Sequence, residues 1–118
     1  MNLLTVKDLL NAEVLCGEEN LKKEISSAFA CDLMSDVLAY VEDNTLLLTG
    51  LINPQTIRTA EMMDINAIVF VRGKLPNQAI IDLAKENDIV IMTTKHILYE
   101  SCGILFNKGL KGASIMHK

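Results

Sequence analysis

Three short stretches of this chain combine small, hydroxyl-bearing and basic residues in a way that suits anion binding. They are Thr49-Gly50-Leu51-Ile52-Asn53-Pro54, Arg72-Gly73-Lys74 and Thr93-Thr94-Lys95-His96. Arginine forks onto a carboxylate or phosphate, and lysine meets it as a point charge. Glycine lets the backbone approach closely. Where a strand ends and a helix begins, unpaired N–H groups and the helix dipole add to the effect. The candidate ligand-binding residues are therefore Thr49, Gly50, Asn53, Arg72, Gly73, Lys74, Thr93, Thr94 and Lys95. None of the stretches matches GxxxxGK[ST] or GxGxxG. Turn glycines and cap threonines also occur without any ligand, and Arg72 and Lys95 serve equally as solvated or ion-paired side chains. Arg58, one helical turn past Asn53, either folds back toward these stretches or pairs with Glu61 or Asp64. Asp36, beside Val37 and Leu38, either caps or pairs locally or joins a ligand site.

Catalytic arrangements are not evident. The histidines are His96 and His117. Ser101 and Cys102 follow His96 by five and six residues, which does not turn them toward it on a helix. Hydrolytic metal centres need clusters of histidines and acids that the sequence does not offer. The expectation is a protein that is not an enzyme, with no cofactor and no metal. The competing expectation is a small accessory enzyme using Lys95, His96 and Cys102. Cys16, Cys31 and Cys102 are widely spaced and odd in number, so they read as free thiols.

The elements that would position these stretches are regular in the second half. Thr45–Thr49, Ala67–Val71 and Ile89–Met92 are short, continuously apolar runs, as expected of strands covered on both faces. Asn53-Pro54 should open a helix to about Met63, with asparagine as cap and proline in the first turn. Pro76 should open another, burying Ala79, Ile80, Leu83 and Ala84. Thr93 or Thr94 should cap a last helix, with Leu98, Cys102, Leu105 and Phe106 on one face and Gly109 ending it. The first half is less regular. Thr5 should cap a helix over Val6–Asn11. Val14–Cys16 and Ile25–Ala30 read as a pair of short strands. Leu33–Val41 has helical apolar spacing. A loose polar tail is expected from Lys111.

Strand and helix thus alternate, which argues for an α/β domain with a mostly parallel sheet flanked by helices. In such sheets, ligands bind outside the carboxyl ends of the strands, where the three stretches should meet. The 118 residues are one domain's worth, and half of them are apolar. A net charge of −4 and a pI near 5.1 make nucleic acid a poor partner. No apolar stretch approaches the roughly 18 residues of a membrane span. The apolar run at the N-terminus breaks too early for a signal peptide, so a cytoplasmic location is expected. Apolar surface at Met62, Met63 or Ile97 would favour a homodimer.

Four segments carry a family resemblance: Ser35-Asp36-Val37-Leu38-Ala39, Leu46-Leu47-Leu48-Thr49-Gly50-Leu51-Ile52-Asn53-Pro54-Gln55, Ile57-Arg58-Thr59-Ala60 and Ile68-Val69-Phe70-Val71-Arg72-Gly73-Lys74. Together they resemble the DRTGG domain over about residues 2 to 112. The chain is similar in particular to stand-alone DRTGG proteins encoded near iron-only hydrogenases in anaerobic bacteria. Other members place the domain beside CBS domains in regulated pyrophosphatases or at the end of phosphate acetyltransferases. The resemblance implies a fold like the N-terminal domains of HPr kinase/phosphorylase and of Mur ligases. It does not imply kinase activity, which in HPr kinase belongs to a separate P-loop domain. Of the family's letters, Asp36, Arg58-Thr59 and Thr49-Gly50 are present, and Leu51 stands where the second glycine would be. The resemblance implies a regulatory or ligand-sensing module for a nucleotide or other phosphorylated metabolite. The alternatives are a protein–protein adaptor without a small ligand and an accessory or maturation factor for a hydrogenase system.

Overall fold

The structure is a computed structural model that describes residues 1–113. Five strands form one sheet: β1 (Glu13–Cys16), β2 (Ser27–Ala30), β3 (Thr45–Thr49), β4 (Ala67–Phe70) and β5 (Val90–Thr93), in the order β1-β5-β4-β3-β2. The last four are parallel to one another, while β1 runs antiparallel along β5. The described residues also form five α-helices, α1 (Leu3–Leu10), α2 (Met34–Tyr40), α3 (Pro54–Met62), α4 (Gln78–Glu86) and α5 (Leu98–Asn107), and a short 3-10 turn at Glu18–Asn20. This is the expected α/β architecture, with a mostly parallel sheet between helices.

Every residue of β3, β4 and β5 is buried, because both faces of the sheet are covered. Leu47, Ile68, Phe70 and Ile91 face α2, α3 and α4 across one core. Leu46, Leu48, Val69, Val90 and Met92 face α1 and α5 across the other. The crossover helices α2, α3 and α4 pack on the same face, as crossovers of one hand must when strands are added in one direction.

Several local expectations need correction. The first helix begins at Leu3, and its cap is Asn2, whose Oδ1 accepts from both the N–H and the hydroxyl of Thr5 at 2.9 Å. The two N-terminal strands do not pair with each other. They form opposite edges of the sheet, β1 beside β5 and β2 beside β3. Pro76 precedes a cap at Asn77, whose side chain accepts from the Ile80 N–H. The helix starting there buries Ile80 and Ala84 but leaves Ala79 exposed. Neither Thr93 nor Thr94 caps α5; Ile97 holds the cap position and no side chain bonds there. Phe106 is 72% exposed, and Ser101 takes its place beside Leu105 on the buried face of α5.

Gly109 does follow the end of α5 in a left-handed conformation, with φ of +100°. Residues 111–113 are not loose. The Ala28 N–H donates to the Lys111 carbonyl at 2.9 Å, and the Ala113 N–H donates to the Ala28 carbonyl at 2.8 Å, which extends the sheet beyond β2. The rest of the expected tail, with His117, lies outside the described residues.

Candidate functional site

The ends of the parallel strands gather four loops on one edge of the sheet. At the end of β3, Gly50 is the centre of a small polar cluster. Its N–H donates to Asp32 Oδ1 at 2.8 Å, and the Thr49 hydroxyl donates to the same oxygen at 2.9 Å. The Lys74 ammonium donates to the Gly50 carbonyl at 2.8 Å. The third side of Gly50 seats the Arg72 guanidinium: a β-carbon there would stand 2.7 Å from the nearest Arg72 nitrogen. Asp32 itself comes from the loop between β2 and α2. Its carboxyl is held below the usual carboxylate range, first by the Gly50 N–H, then by the Thr49 hydroxyl and the charges of Arg72 and Lys74, against the opposing effect of partial burial.

The loop after β4 aims Arg72. Val71-Arg72-Gly73-Lys74 is a tight turn in which the Lys74 N–H donates to the Val71 carbonyl at 3.3 Å. Arg72 and Gly73 are both left-handed, with φ of +60° and +67°, as in a type I′ turn. Asparagine is the usual non-glycine residue at such a position, and an arginine there carries backbone strain. The strain is held by bonds from the Arg72 N–H to the His96 carbonyl at 2.9 Å and from the Gly73 N–H to the Thr94 carbonyl at 2.8 Å.

The loop after β5 is tied inward. The Thr93 hydroxyl donates to the Lys74 carbonyl at 2.7 Å, and the buried Thr94 hydroxyl donates to the Leu10 carbonyl at 2.7 Å, joining β5 to the end of α1. Lys95 is exposed. Among the described residues, neither Arg72 nor Lys95 has a carboxylate within ion-pair distance.

Two hollows flank the Arg72-Gly73 turn. One, of about 310 Å³, is lined by Asp32, Gly50, Val71, Arg72, Ile97, Leu98 and Tyr99. The other, of about 450 Å³, includes Glu13, Gly73, Thr93, Lys95 and His96 in its lining. The start of α5 reaches the first hollow without a side-chain cap, which leaves its opening N–H groups free for an acceptor.

The structure thus brings Thr49, Gly50, Arg72, Gly73, Lys74, Thr93, Thr94 and Lys95 to one edge, but assigns them unequal parts. The donors of Thr49 and Gly50 serve the protein's own carboxylate. Lys74 holds the Gly50 carbonyl, while Thr93 and Thr94 hold loops. Asn53 caps α3 through the Thr56 N–H at 3.2 Å. Arg58 is exposed on α3 and lines neither hollow; among the described residues it has no ion pair with Glu61 or Asp64. Asp36 lies in the first turn of α2, where its Oδ2 accepts from the Cys31 thiol at 3.9 Å. Of the basic residues at this edge, Lys74 is held by the Gly50 carbonyl, while the side chains of Arg72 and Lys95 have no close ion pair among the described residues.

Asp32 is the residue that sequence reasoning missed. With Ser27–Ala30 recognised as the first parallel strand, Cys31-Asp32 becomes a fourth strand-to-helix loop, and an acid there is the natural acceptor for neighbouring strand-end donors.

The residues of the accessory-enzyme alternative do not converge. Lys95 and His96 line the larger hollow, whereas Cys102 lines a separate apolar groove beside β2. Burial pushes the Cys102 thiol up from its ordinary value, away from a reactive thiolate. Among the described residues, no group of three metal-ligating side chains stands together, and no helix is long and apolar enough to cross a membrane.

Replacing Gly50 with alanine tests the cluster directly. Gly50 is not left-handed, so the backbone accepts alanine, and the new methyl meets only the movable end of Arg72. The expected result is a folded protein whose Arg72 is displaced. It should melt within about 1 kcal/mol of the parent by calorimetry but lose any ligand response that depends on Arg72.

Comparison with known proteins agrees with this architecture. A solved structure of the CBS and DRTGG domains of the regulatory region of Clostridium perfringens pyrophosphatase, complexed with its activator diadenosine tetraphosphate, is similar to this chain. The TM-score is 0.70 at 19% identity, over 88% of this chain and 45% of that one. The present chain therefore spans less than half of that regulatory region. No curated protein sequence matches. The family model for the DRTGG domain matches residues 5–105, nearly the whole of the described fold, and the chain belongs to the DRTGG domain family.

Proposed function

We propose that this domain is a non-catalytic regulatory module that senses a phosphorylated ligand, of the nucleotide class, at the carboxyl edge of its parallel strands. The observation that carries the reading is the pair Arg72 and Lys95. Both are exposed, neither has a carboxylate within ion-pair distance among the described residues, and Lys95 lies beside the turn that carries Arg72. Charge outside any close ion pair, carried on or beside a strained turn, is suited to meet an anion from outside. The pyrophosphatase regulatory region that shares this fold was solved with a dinucleotide activator, which supports the nucleotide class. The same reading includes a homodimer, for which Met62, at 67% exposed, and Ile97 supply apolar surface; sedimentation velocity tests it.

Thermal shift with AMP, ADP, ATP, diadenosine tetraphosphate, phosphate and acetyl phosphate tests the ligand. A ligand at about ten times its Kd adds roughly 1.4 kcal/mol to stability, a rise of about 5 °C for a domain of this size. Arg72→Ala and Lys95→Ala are each expected to reduce the rise by at least half. A flat response to all of these compounds would overturn the ligand reading and leave a protein–protein adaptor.

A further inference from the structure

Away from the anion site, one face of the domain is apolar and open. A groove of about 350 Å³ lies between α5 and the β2 edge of the sheet, lined by Ala28, Ala30, Leu48 and Leu110. Tyr99 and Phe106 belong to the same lining and are 85% and 72% exposed. They are seven residues apart on α5, about two turns, so they stand in one row along the helix. Single exposed apolar residues are ordinary, but two aromatics beside an apolar groove form the kind of patch that marks a contact surface.

Three features of this patch fit a second copy of the chain. The first is shape. A twofold interface uses the same patch on both subunits, so that patch must carry both the projection and the recess. Here the exposed rings and the groove lie side by side. The second is charge. Glu100 in the first turn of α5 and Lys108 at its C-cap are both exposed, and neither has an ion pair among the described residues. Two copies of α5 packed antiparallel bring the acidic end of each beside the basic end of the other and oppose the helix dipoles. The third is area. Covering two aromatic side chains removes on the order of 300 Å² per subunit, a large part of the roughly 800 Å² that each partner gives to a standard interface. We propose that the domain pairs with a second copy through α5, antiparallel about a twofold axis, with Phe106 of each copy entering the other's groove beside β2. This rests on the homodimer included in the reading above and names its surface. Met62 falls outside that surface, because α3 packs against the opposite face of the sheet. Tyr99 also lines the smaller hollow, so the pairing adjoins the strand-edge site.

Sedimentation velocity of the full chain over a concentration series tests the pairing. The parent should dimerise. Phe106→Asp should raise the dimer dissociation constant about thirtyfold or more, the usual loss for a buried aromatic anchor. Phe106 is mostly exposed in the single chain, so the variant should keep the parent's circular dichroism spectrum. Met62→Asp should leave the constant within about twofold, as expected of a surface position outside the contact. At low salt, Glu100→Lys and Lys108→Glu should each weaken the dimer by about twofold to fivefold, and the double reversal should restore it. That recovery is a signature of ends that face each other across the axis, and a merely structural role of either residue would not produce it. A parent that stays monomeric throughout the series would overturn this proposal together with the homodimer, and would leave the groove to a different partner. A dimer that survives Phe106→Asp but dissociates in Met62→Asp would overturn the α5 surface and leave the homodimer standing. Charge reversals whose losses add instead of cancelling would overturn the antiparallel arrangement.

Discussion

Replacing Gly17 with alanine is expected to lower the melting temperature of the domain by about 10–20 °C. Gly17 follows β1 with φ of +86°, a left-handed conformation. An L-residue there carries strain of about 1–2 kcal/mol. Space is also lacking: a β-carbon at Gly17 would lie 2.8 Å from Val90 Cγ2 and 2.9 Å from Val90 Cα. Val90 cannot retreat, because it is fully buried in β5 and registered against Ala67 of β4. Overpacking of this kind costs about 1–3 kcal/mol, and the two terms add. Gly103→Ala is the control. Gly103 lies within α5 with nothing near its missing β-carbon, so alanine should leave stability unchanged or raise it by up to about 1 kcal/mol. Thermal melts of the two variants by circular dichroism decide the matter. Equal melting temperatures would mean that β1 does not pack on β5 in this way.

The position of Gly17 also shows how much of the fold could be read from sequence. Thr45–Thr49, Ala67–Phe70 and Asn53-Pro54 were legible because a buried parallel strand is a continuous apolar run and a helix start has a local signature. Strand partners were not legible. Val14–Cys16 and Ser27–Ala30 look alike as segments, yet one is an antiparallel edge and the other the first parallel strand. Nothing local distinguishes them, since the choice depends on contacts far along the chain. Helix caps failed for a different reason. Asn2 and Thr5 both have a suitable oxygen, as do Asn77, Thr93 and Thr94, and the winner is whichever reaches the free N–H groups. Thr93 and Thr94 are drawn away by the Lys74 and Leu10 carbonyls.

The site followed the same division. The strand-end loops with Arg72, Gly73 and Lys95 were found because a parallel sheet puts its loops on one edge. Asp32 was not found, because its loop belongs to the strand whose partner was unreadable. That omission changed the meaning of Thr49 and Gly50, whose donors already have an acceptor.

Removing that acceptor should have the second large effect. In Asp32→Ala, the buried Thr49 hydroxyl and Gly50 N–H lose their partner, at an expected cost of about 1–3 kcal/mol. Arg72 and Lys74 lose a nearby negative charge, but Asp32 is exposed, so salt screens that part. The pH dependence separates the ionised carboxylate from simple packing. The folded carboxyl titrates below the ordinary aspartate range, so at neutral pH the ionised form contributes stability. That contribution persists above the unfolded pKa and is lost as pH falls through the lower, folded value. The parent protein should therefore melt higher than Asp32→Ala at pH 7, and the two melting curves should converge as pH falls below about 4. Curves that stay parallel into acid would show that the charge on Asp32 is not what stabilises the loop. The same variant leaves two donors open beside Arg72, so inorganic phosphate should stabilise Asp32→Ala more than it stabilises the parent. On the reading proposed above, Asp32 fills the anion position at the end of β3, and an outside anion is met by Arg72 and Lys95.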